Sequence, residues 1–541
     1  MACNGPRQKL RLVCTTVSGL SGLAWQMLDT CPSTGNGFNC DNRDASCQAI
    51  IPACVGQAPG YAYCEIGTNP AYTDVRKTCG PDLVSNDTNT TCSGVCAAGV
   101  CQAATCGDKK TETTEECDDG NTKPLDGCEP SCVKSGVQKV ALGDGHTCML
   151  GRGGYVRCWG TNTNGELGLG NTTPVQAGML PYQIPDSTGA AGGYVNLGTT
   201  AIDVTAGLGF TCALLTGGSV RCWGANDQGQ LGLGSTTAMP TTIGGVVNFG
   251  SAHAVAISAG PNNVCALLDN NTIHCWGANN LGQAGVGSAT DPSLSPSTTV
   301  ALGSGVTPTG ISVGGDSACA LLSTNKIHCW GDNFFGEFGL GSATPADSTA
   351  VLPSSYADAM LTSVATAASV TVGSDFNCAR LSDGEVTCWG YNSNGQLGLG
   401  STQTIGDNEI PGSAALVSTG SAVTSVVAGF THTCALTTTG TLKCWGQNNL
   451  GQLGQGSNTA WGKTPSTLPI NVPAVKFPSG TTPSAVFVGN SRTCALLNNG
   501  ALKCWGWNDR GQLGLGTISS SVGTASTETP DQLASIQVFP P

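Results

Sequence analysis

The stretch Phe210–Ser235, FTCALLTGGSVRCWGANDQGQLGLGS, decides the fold. Two apolar runs, Thr211–Leu215 and Val220–Trp223, alternate around a Thr-Gly-Gly turn, the pattern of a β-hairpin. A register symmetric about Gly217 sets Cys212 opposite Cys222. Directly opposed strand residues have Cβ atoms about 4.5–5.5 Å apart, near the reach of a disulfide. The stretch recurs seven times, starting at His146, Phe210, Asn263, Ser317, Phe376, His432 and Arg492, with the two cysteines always ten positions apart. The spacing predicts seven disulfides: Cys148–Cys158, Cys212–Cys222, Cys265–Cys275, Cys319–Cys329, Cys378–Cys388, Cys434–Cys444 and Cys494–Cys504. Successive copies lie 64, 53, 54, 59, 56 and 60 residues apart. Repeats of this period, built from short strands, specify an all-β propeller or solenoid.

Composition agrees. Of 541 residues 78 are Gly and only 11% are charged, which suits short strands and tight turns and argues against long helices. The net charge of −13, with no basic tail, makes nucleic acid a poor partner, since that binding neutralises phosphates. Nor is there a run of about 18 apolar residues to span a membrane. Cysteine is the strongest signal: 29 in all, 15 of them in the first 132 residues, a density expected of an extracellular or cell-surface protein. The odd total leaves at least one thiol free, shared between chains, or lost with missing sequence. The start, MACNGPRQKLRLVCTTVSGLSGLAW, is a weak secretory leader, either degenerate or preceded by the true start.

Four divisions follow. Residues 1–53 form a poorly defined segment and residues 54–105 a cysteine-rich spacer. Residues 106–136 form a compact cysteine module, and residues 137–541 the repeat array. Between Cys31 and Cys101 the cysteines are irregularly spaced among Gly, Pro, Asn and Thr, which suggests a disulfide-stapled stalk. Zinc fits poorly there, because residues 1–136 contain no histidine and no paired CxxC units. The segment CGDKKTETTEECDDGNTKPLDGCEPSC, residues 106–132, resembles the CDDGN cysteine-rich repeat of bacterial secreted and surface proteins, with Lys109 standing where that pattern usually has Gly. Asp118, Asp119, Asn121 and Asp126 offer hard oxygens of the kind calcium prefers, while ordinary turn chemistry explains the same residues without a metal.

The repeats resemble those of the regulator of chromosome condensation family. HTCALTTTGTLKCWGQNNLGQLGQG, His432–Gly456, shows the likeness most fully. The resemblance covers about 400 residues and implies a seven-bladed β-propeller. Cysteine at both facing strand positions departs from the family pattern, and the family's usual His survives only as His146 and His432. VQKVALGDG (Val137–Gly145) and TPDQLASIQVFP (Thr529–Pro540) look like the two halves of one linker, so the chain ends are expected to complete a shared blade.

Comparison among the copies separates scaffold from surface. Each Trp (Trp159, Trp223, Trp276, Trp330, Trp389, Trp445, Trp505) is expected to pack between blades, and the Gly that follows it to meet a backbone requirement. Loop positions that vary on a rigid ring are where binding specificity resides. Phe334, Phe335, Tyr391 and Trp507 occupy such positions and are the candidate contact residues. Arg157, Arg221, His274, His328, Lys443 and Lys503 precede the second cysteine, as a solvated strand face or a basic ring for an anion.

Catalysis is not expected. The chain has five histidines, two of them at equivalent repeat positions, and no GxSxG, HExxH or phosphate-loop motif. The sequence favours a non-enzymatic binding or scaffold protein whose propeller loops recognise a protein or glycan. The family resemblance implies a second reading, a guanine-nucleotide exchange factor for a small GTPase, and a third, a secreted enzyme inhibitor.

Overall fold

The computed structural model describes Cys106, Lys109 and residues 116–540, apart from 175, 186–192, 288–291, 344–350 and 362–364, together with backbone strands between residues 12 and 101. Two compact units are distinguished: residues 1–124 with 128–134, and residues 125–127 with 135–541.

In the smaller unit, the strands between residues 12 and 101 pair antiparallel in sheets of four, three and two strands. The cysteine pairings expected among residues 31–101 lie outside the described residues. Within 106–134, Cys106 pairs with Cys132 and Cys117 with Cys128. Asp118 Oδ1 accepts the Gly120 and Lys109 N–H groups, Asp119 Oδ1 accepts from Asn121 N, and Asn121 Oδ1 from Lys123 N. These oxygens close the turns of the module. Among the described residues no group of three or more His, Cys, Asp or Glu side chains is placed to hold a metal ion.

The larger unit is a ring of seven antiparallel sheets, each made of consecutive strands of one repeat. The second sheet is typical: Ala201–Ala206 lies innermost, then Phe210–Leu215, then Val220–Gly224. Its middle strand is buried at all six positions, and the run is apolar but for Thr211, whose hydroxyl is hydrogen-bonded. The outgoing linker adds a fragmentary fourth strand through the Arg221–Val246 and Gly224–Met239 bridges, and among the described residues only the seventh sheet has a regular one, Ser521–Val522.

All seven expected disulfides are formed across directly opposed residues, with Cα–Cα distances of 4.0–4.1 Å. Ring closure differs from expectation. Val137–Leu142 is the inner strand of the first sheet, whereas the C-terminal segment pairs with the seventh, through Ile536 N donating to Leu502 O. Each repeat carries its own complete blade, so closure is a seam between two sheets. The inner strands of the first and seventh touch as other neighbours do, and the Arg157 guanidinium donates to Val538 O across the seam.

The inner strands converge on the axis. Each ends in a glycine: Gly143, Gly207, Gly260, Gly314, Gly373, Gly429 and Gly489. A Cβ on any of the first six would press on the carbonyl of the next glycine round the ring, and one on Gly489 would meet Leu142. Seven blades therefore approach the axis at backbone distance, which a side chain there would prevent.

Candidate functional site

Three recurrent side chains set the geometry of the loop that follows each Cys-Trp-Gly. The Trp indole N–H donates to the carbonyl of the Gln or Glu in the preceding repeat's Gly-Gln-Leu-Gly segment. Trp223 bonds Glu166 O, Trp276 Gln230 O, Trp330 Gln283 O, Trp389 Glu337 O, Trp445 Gln396 O and Trp505 Gln452 O, all at 2.8–3.0 Å. Thr211, Thr433 and Thr493 hydroxyls and the Asn377 amide reach the same carbonyls. The expected packing role of Trp thus includes a fixed polar bond between repeats.

The Asn two residues beyond Trp-Gly pins its own loop. Asn226 Oδ1 accepts from Leu231 N at 2.9 Å, and its Nδ2 donates to the Ser235 and Thr237 carbonyls. Gln230 Oε1 accepts from Gln228 N. The Gly after Trp sits at φ +99 to +107° in all seven copies, with a neighbouring backbone carbonyl where a Cβ would project.

With these positions committed to structure, the variable residues are gathered on one face. The residue after Trp-Gly donates its backbone N–H to the turn between the first two strands: Thr161 to Gly145, Ala225 to Gly209, Ala278 to Asn262, Asp332 to Asp316, Tyr391 to Asp375, Gln447 to Thr431 and Trp507 to Ser491. Both variable turns thereby flank the axial cavity of ≈ 280 Å³, which is lined by the glycine ring and by residues such as Leu142, Pro261, Val372, Phe430 and Asn490.

Three of the four aromatic candidates meet. Phe334 and Phe335 pack edge-on with centroids 4.9 Å apart, and Phe335 lies 4.5 Å from Tyr391 of the next repeat. Phe334 is 61% exposed, the largest exposure among the described bulky apolar residues. Trp507 stands apart, at the seam, in a cleft it shares with Asp144, Thr161, Asn164, Glu166 and Arg510.

Acidic groups that the sequence reading did not single out surround the aromatic trio. Asp316, Asp332 and Asp375 are half-buried beside it, and Glu337 is almost fully buried. Desolvation raises the Asp332 carboxyl, and Asp316 adds to that. Asp375 is raised by burial and then by Asp316 and Asp332. Glu337 is pushed up to about 9 by burial, reinforced by Asp332 and Asp375. Glu337 Oε2 accepts from Phe335 N at 2.9 Å, whereas Oε1 has no partner.

Of the six basic or imidazole side chains before the second cysteine, all but Arg221 are engaged by the protein itself, not arranged as a ring for an anion. Five of them hold outgoing linkers. Arg157 donates to Gly193 O, His274 to Pro296 O, His328 to Pro353 O, Lys443 to the Pro469 and Ile470 carbonyls, and Lys503 to Leu533 O. His146 and His432 are buried against the Thr211 and Thr493 hydroxyls, and burial lowers them to about 3 and 4. They are neutral, structural groups.

The pattern of the regulator of chromosome condensation (RCC1) repeat matches seven segments: 137–166, 201–230, 254–283, 309–337, 367–396, 423–452 and 484–512. Among curated relatives, the ultraviolet-B receptor UVR8 of Arabidopsis thaliana is 27% identical over 70% of this chain and 78% of its own. The secretion-regulating guanine nucleotide exchange factor of Mus musculus is 28% identical over 71% and 78%. The crystal structure of Prp20p from Saccharomyces cerevisiae aligns with a TM-score of 0.53 at 19% identity, over 74% of this chain and 87% of its own, a likeness of fold. Seven matched repeats on seven sheets place the chain in the family of proteins built on the regulator of chromosome condensation repeat.

Proposed function

We propose that the chain is a non-enzymatic binding protein whose propeller presents its turn-loop face to a protein partner, in an extracellular or cell-surface setting. The observation that carries this reading is the division of labour within each repeat. Trp, Asn and the Gln or Glu of the loop are tied to the scaffold in every copy. The positions that differ collect on one face and there expose Phe334 against Phe335 and Tyr391. The seven disulfides support an oxidising compartment. A receptor and an exchange factor among the relatives accord with a role in binding other proteins.

The test is a photo-crosslinker at position 334, compared with one at Thr216 in the hairpin turn at the far end of the strand. The expected result is a discrete protein adduct from 334 alone, lost when Phe334→Ser and Phe335→Ser are combined. An adduct from 216 alone would move the site to the opposite face. Loss of capture after glycosidase treatment of the extract would make the ligand a glycan. Fractionation checks the location: chain recovered reduced in the cytosol overturns it.

The exchange-factor relative favours one second reading, nucleotide exchange on a small GTPase. Acceleration of GDP release from a GTPase panel by the intact chain supports it, and an unchanged rate removes it.

A further inference from the structure

Resting on the binding face proposed above, we infer that the sector formed by repeats four and five is a receptor for a cationic side chain, an arginine or lysine carried on a segment of the protein partner. Three features converge there. Asp316, Asp332 and Asp375 ring a small area, tied together by Asp332 N donating to Asp316 O, Tyr391 N to Asp375 O and Gly315 N to Gly373 O. Glu337 lies beneath, 1% exposed, with Oε1 unpartnered beside Asp332 and Asp375. Phe334, Phe335 and Tyr391 form an aromatic wall over the same loops.

Repeat-to-repeat comparison isolates what is special here. Elsewhere the position of Glu337 is Gln in five copies, and only Glu166 shares its acid. In the third repeat the amide at this position, Gln283 Nε2, donates to Asp316 Oδ1 in the turn of the next repeat at 3.1 Å. Asp375 is the next-repeat turn residue for Glu337, so an acid replaces the amide that would have satisfied an acid. The Lys and Arg side chains of these two repeats are engaged elsewhere: Lys326 pairs with Asp358, and Arg380 donates to Leu381 O.

An ammonium or guanidinium group supplies the missing donors. It meets carboxylates on one side and the faces of aromatic rings on the other, each contact strengthened by partial burial. Burial and the neighbouring Asp332 and Asp375 keep a proton on Glu337 in the free protein. An arriving cation displaces that proton to solvent, leaving the carboxylate paired. The charged groups facing Glu337 in this exchange are Asp332 and Asp375, with Asp316 behind them acting on both.

The experiment titrates the intact oxidised chain with a fluorescent octa-arginine peptide, with spermine and an Arg-free peptide of the same length as comparisons. Asp332→Asn with Asp375→Asn is expected to weaken octa-arginine binding at least ten-fold, as is Phe334→Ser with Phe335→Ser. Glu337→Gln is expected to weaken it and to abolish the proton release seen by calorimetry in two buffers of different ionisation heat. Asp227→Asn with Asp509→Asn, on the same face in other repeats, leaves affinity within two-fold. Equal losses in that control pair mean diffuse attraction to an acidic protein and overturn the inference. Spermine binding with the same residue dependence assigns a free polycation and overturns it as well. If the crosslinked partner is still captured by the Asp332→Asn, Asp375→Asn chain, the binding face stands and the cation site fails.

Discussion

Trp159, in the first repeat, donates its indole N–H to the carbonyl of Gln512, in the last, at 3.0 Å. The same bond joins every other pair of neighbours, so the chain closes on itself with the clip it uses internally. The Thr147 hydroxyl donates to the same Gln512 oxygen at 2.7 Å.

Replacing Trp159 by Phe removes one bond to a buried carbonyl and keeps most of the packing. A loss of about 1–2 kcal/mol is expected, because the remaining Thr147 bond still satisfies the acceptor. Trp159→Ala also leaves a cavity and is expected to cost about 3–5 kcal/mol. Chemical denaturation of both variants beside Trp276→Phe checks whether the seam resembles an internal junction. A markedly larger loss at Trp159 would mean that closure is weaker than the rest of the ring.

The glycine ring gives a comparison within a single strand. Gly310 and Gly314 belong to the same inner segment, but a Cβ at Gly310 touches only Leu321 Cβ at 3.7 Å, whereas one at Gly314 collides with the Gly373 carbonyl. Gly310→Ala is therefore expected to change stability by less than about 0.5–1 kcal/mol. Gly314→Ala forces two blades apart and is expected to lose several kcal/mol or to fail to fold. Similar melting temperatures for the two variants would contradict the close approach at the axis.

What the sequence discloses follows from where the partners lie. Each disulfide joins residues ten apart in a hairpin, so a constant offset was enough to read all seven. The acceptor for each Trp is a backbone carbonyl in another repeat, and a carbonyl has no residue signature; Gln512 is 353 residues from Trp159. The axial glycines carried a legible mark, one Gly three positions before the start of every copy, yet its cause appears only once the blades converge. Phe334, Phe335 and Tyr391 were visible as aromatics at variable positions. Their meeting, and the separation of Trp507, depends on the order of blades round the ring. Asp316, Asp332, Glu337 and Asp375 are scattered over 60 residues and look like ordinary loop acids until folding brings them together.

The hairpin disulfides are expected to act mainly on the unfolded chain. Each closes a loop of ten residues, so a Cys212→Ser, Cys222→Ser pair should cost about 2 kcal/mol, near the lower end for disulfides. Alkylation in denaturant without reductant is expected to leave all fourteen repeat cysteines unmodified, read by intact mass and peptide mapping. Labelling of these cysteines by the alkylating reagent would show the pairs to be open in the isolated protein.

Glu337 gives a pH signature. In the unfolded chain its carboxyl loses its proton near the ordinary 4.5, and in the folded protein near 9. Between those values the folded state holds the extra proton, so this group's contribution to stability is full below pH 4.5 and declines as pH rises towards 9. The slope is at most about 1.4 kcal/mol per pH unit. Asp332, Asp375 and Glu166 are raised in the same sense, whereas the depressed His146 and His432 act oppositely and lower stability below pH 6.5. Only the difference between two chains therefore isolates Glu337. Glu337→Gln restores the residue found at five equivalent positions and gives the orphaned site an N–H that can donate to Asp375, as Gln283 does to Asp316. The variant is expected to match the parent near pH 5 and to exceed it by a growing margin up to pH 9, measured by denaturant unfolding at several pH values. A constant difference across that range would mean that Glu337 is already ionised at neutral pH, and that the cluster holds its negative charge without a proton.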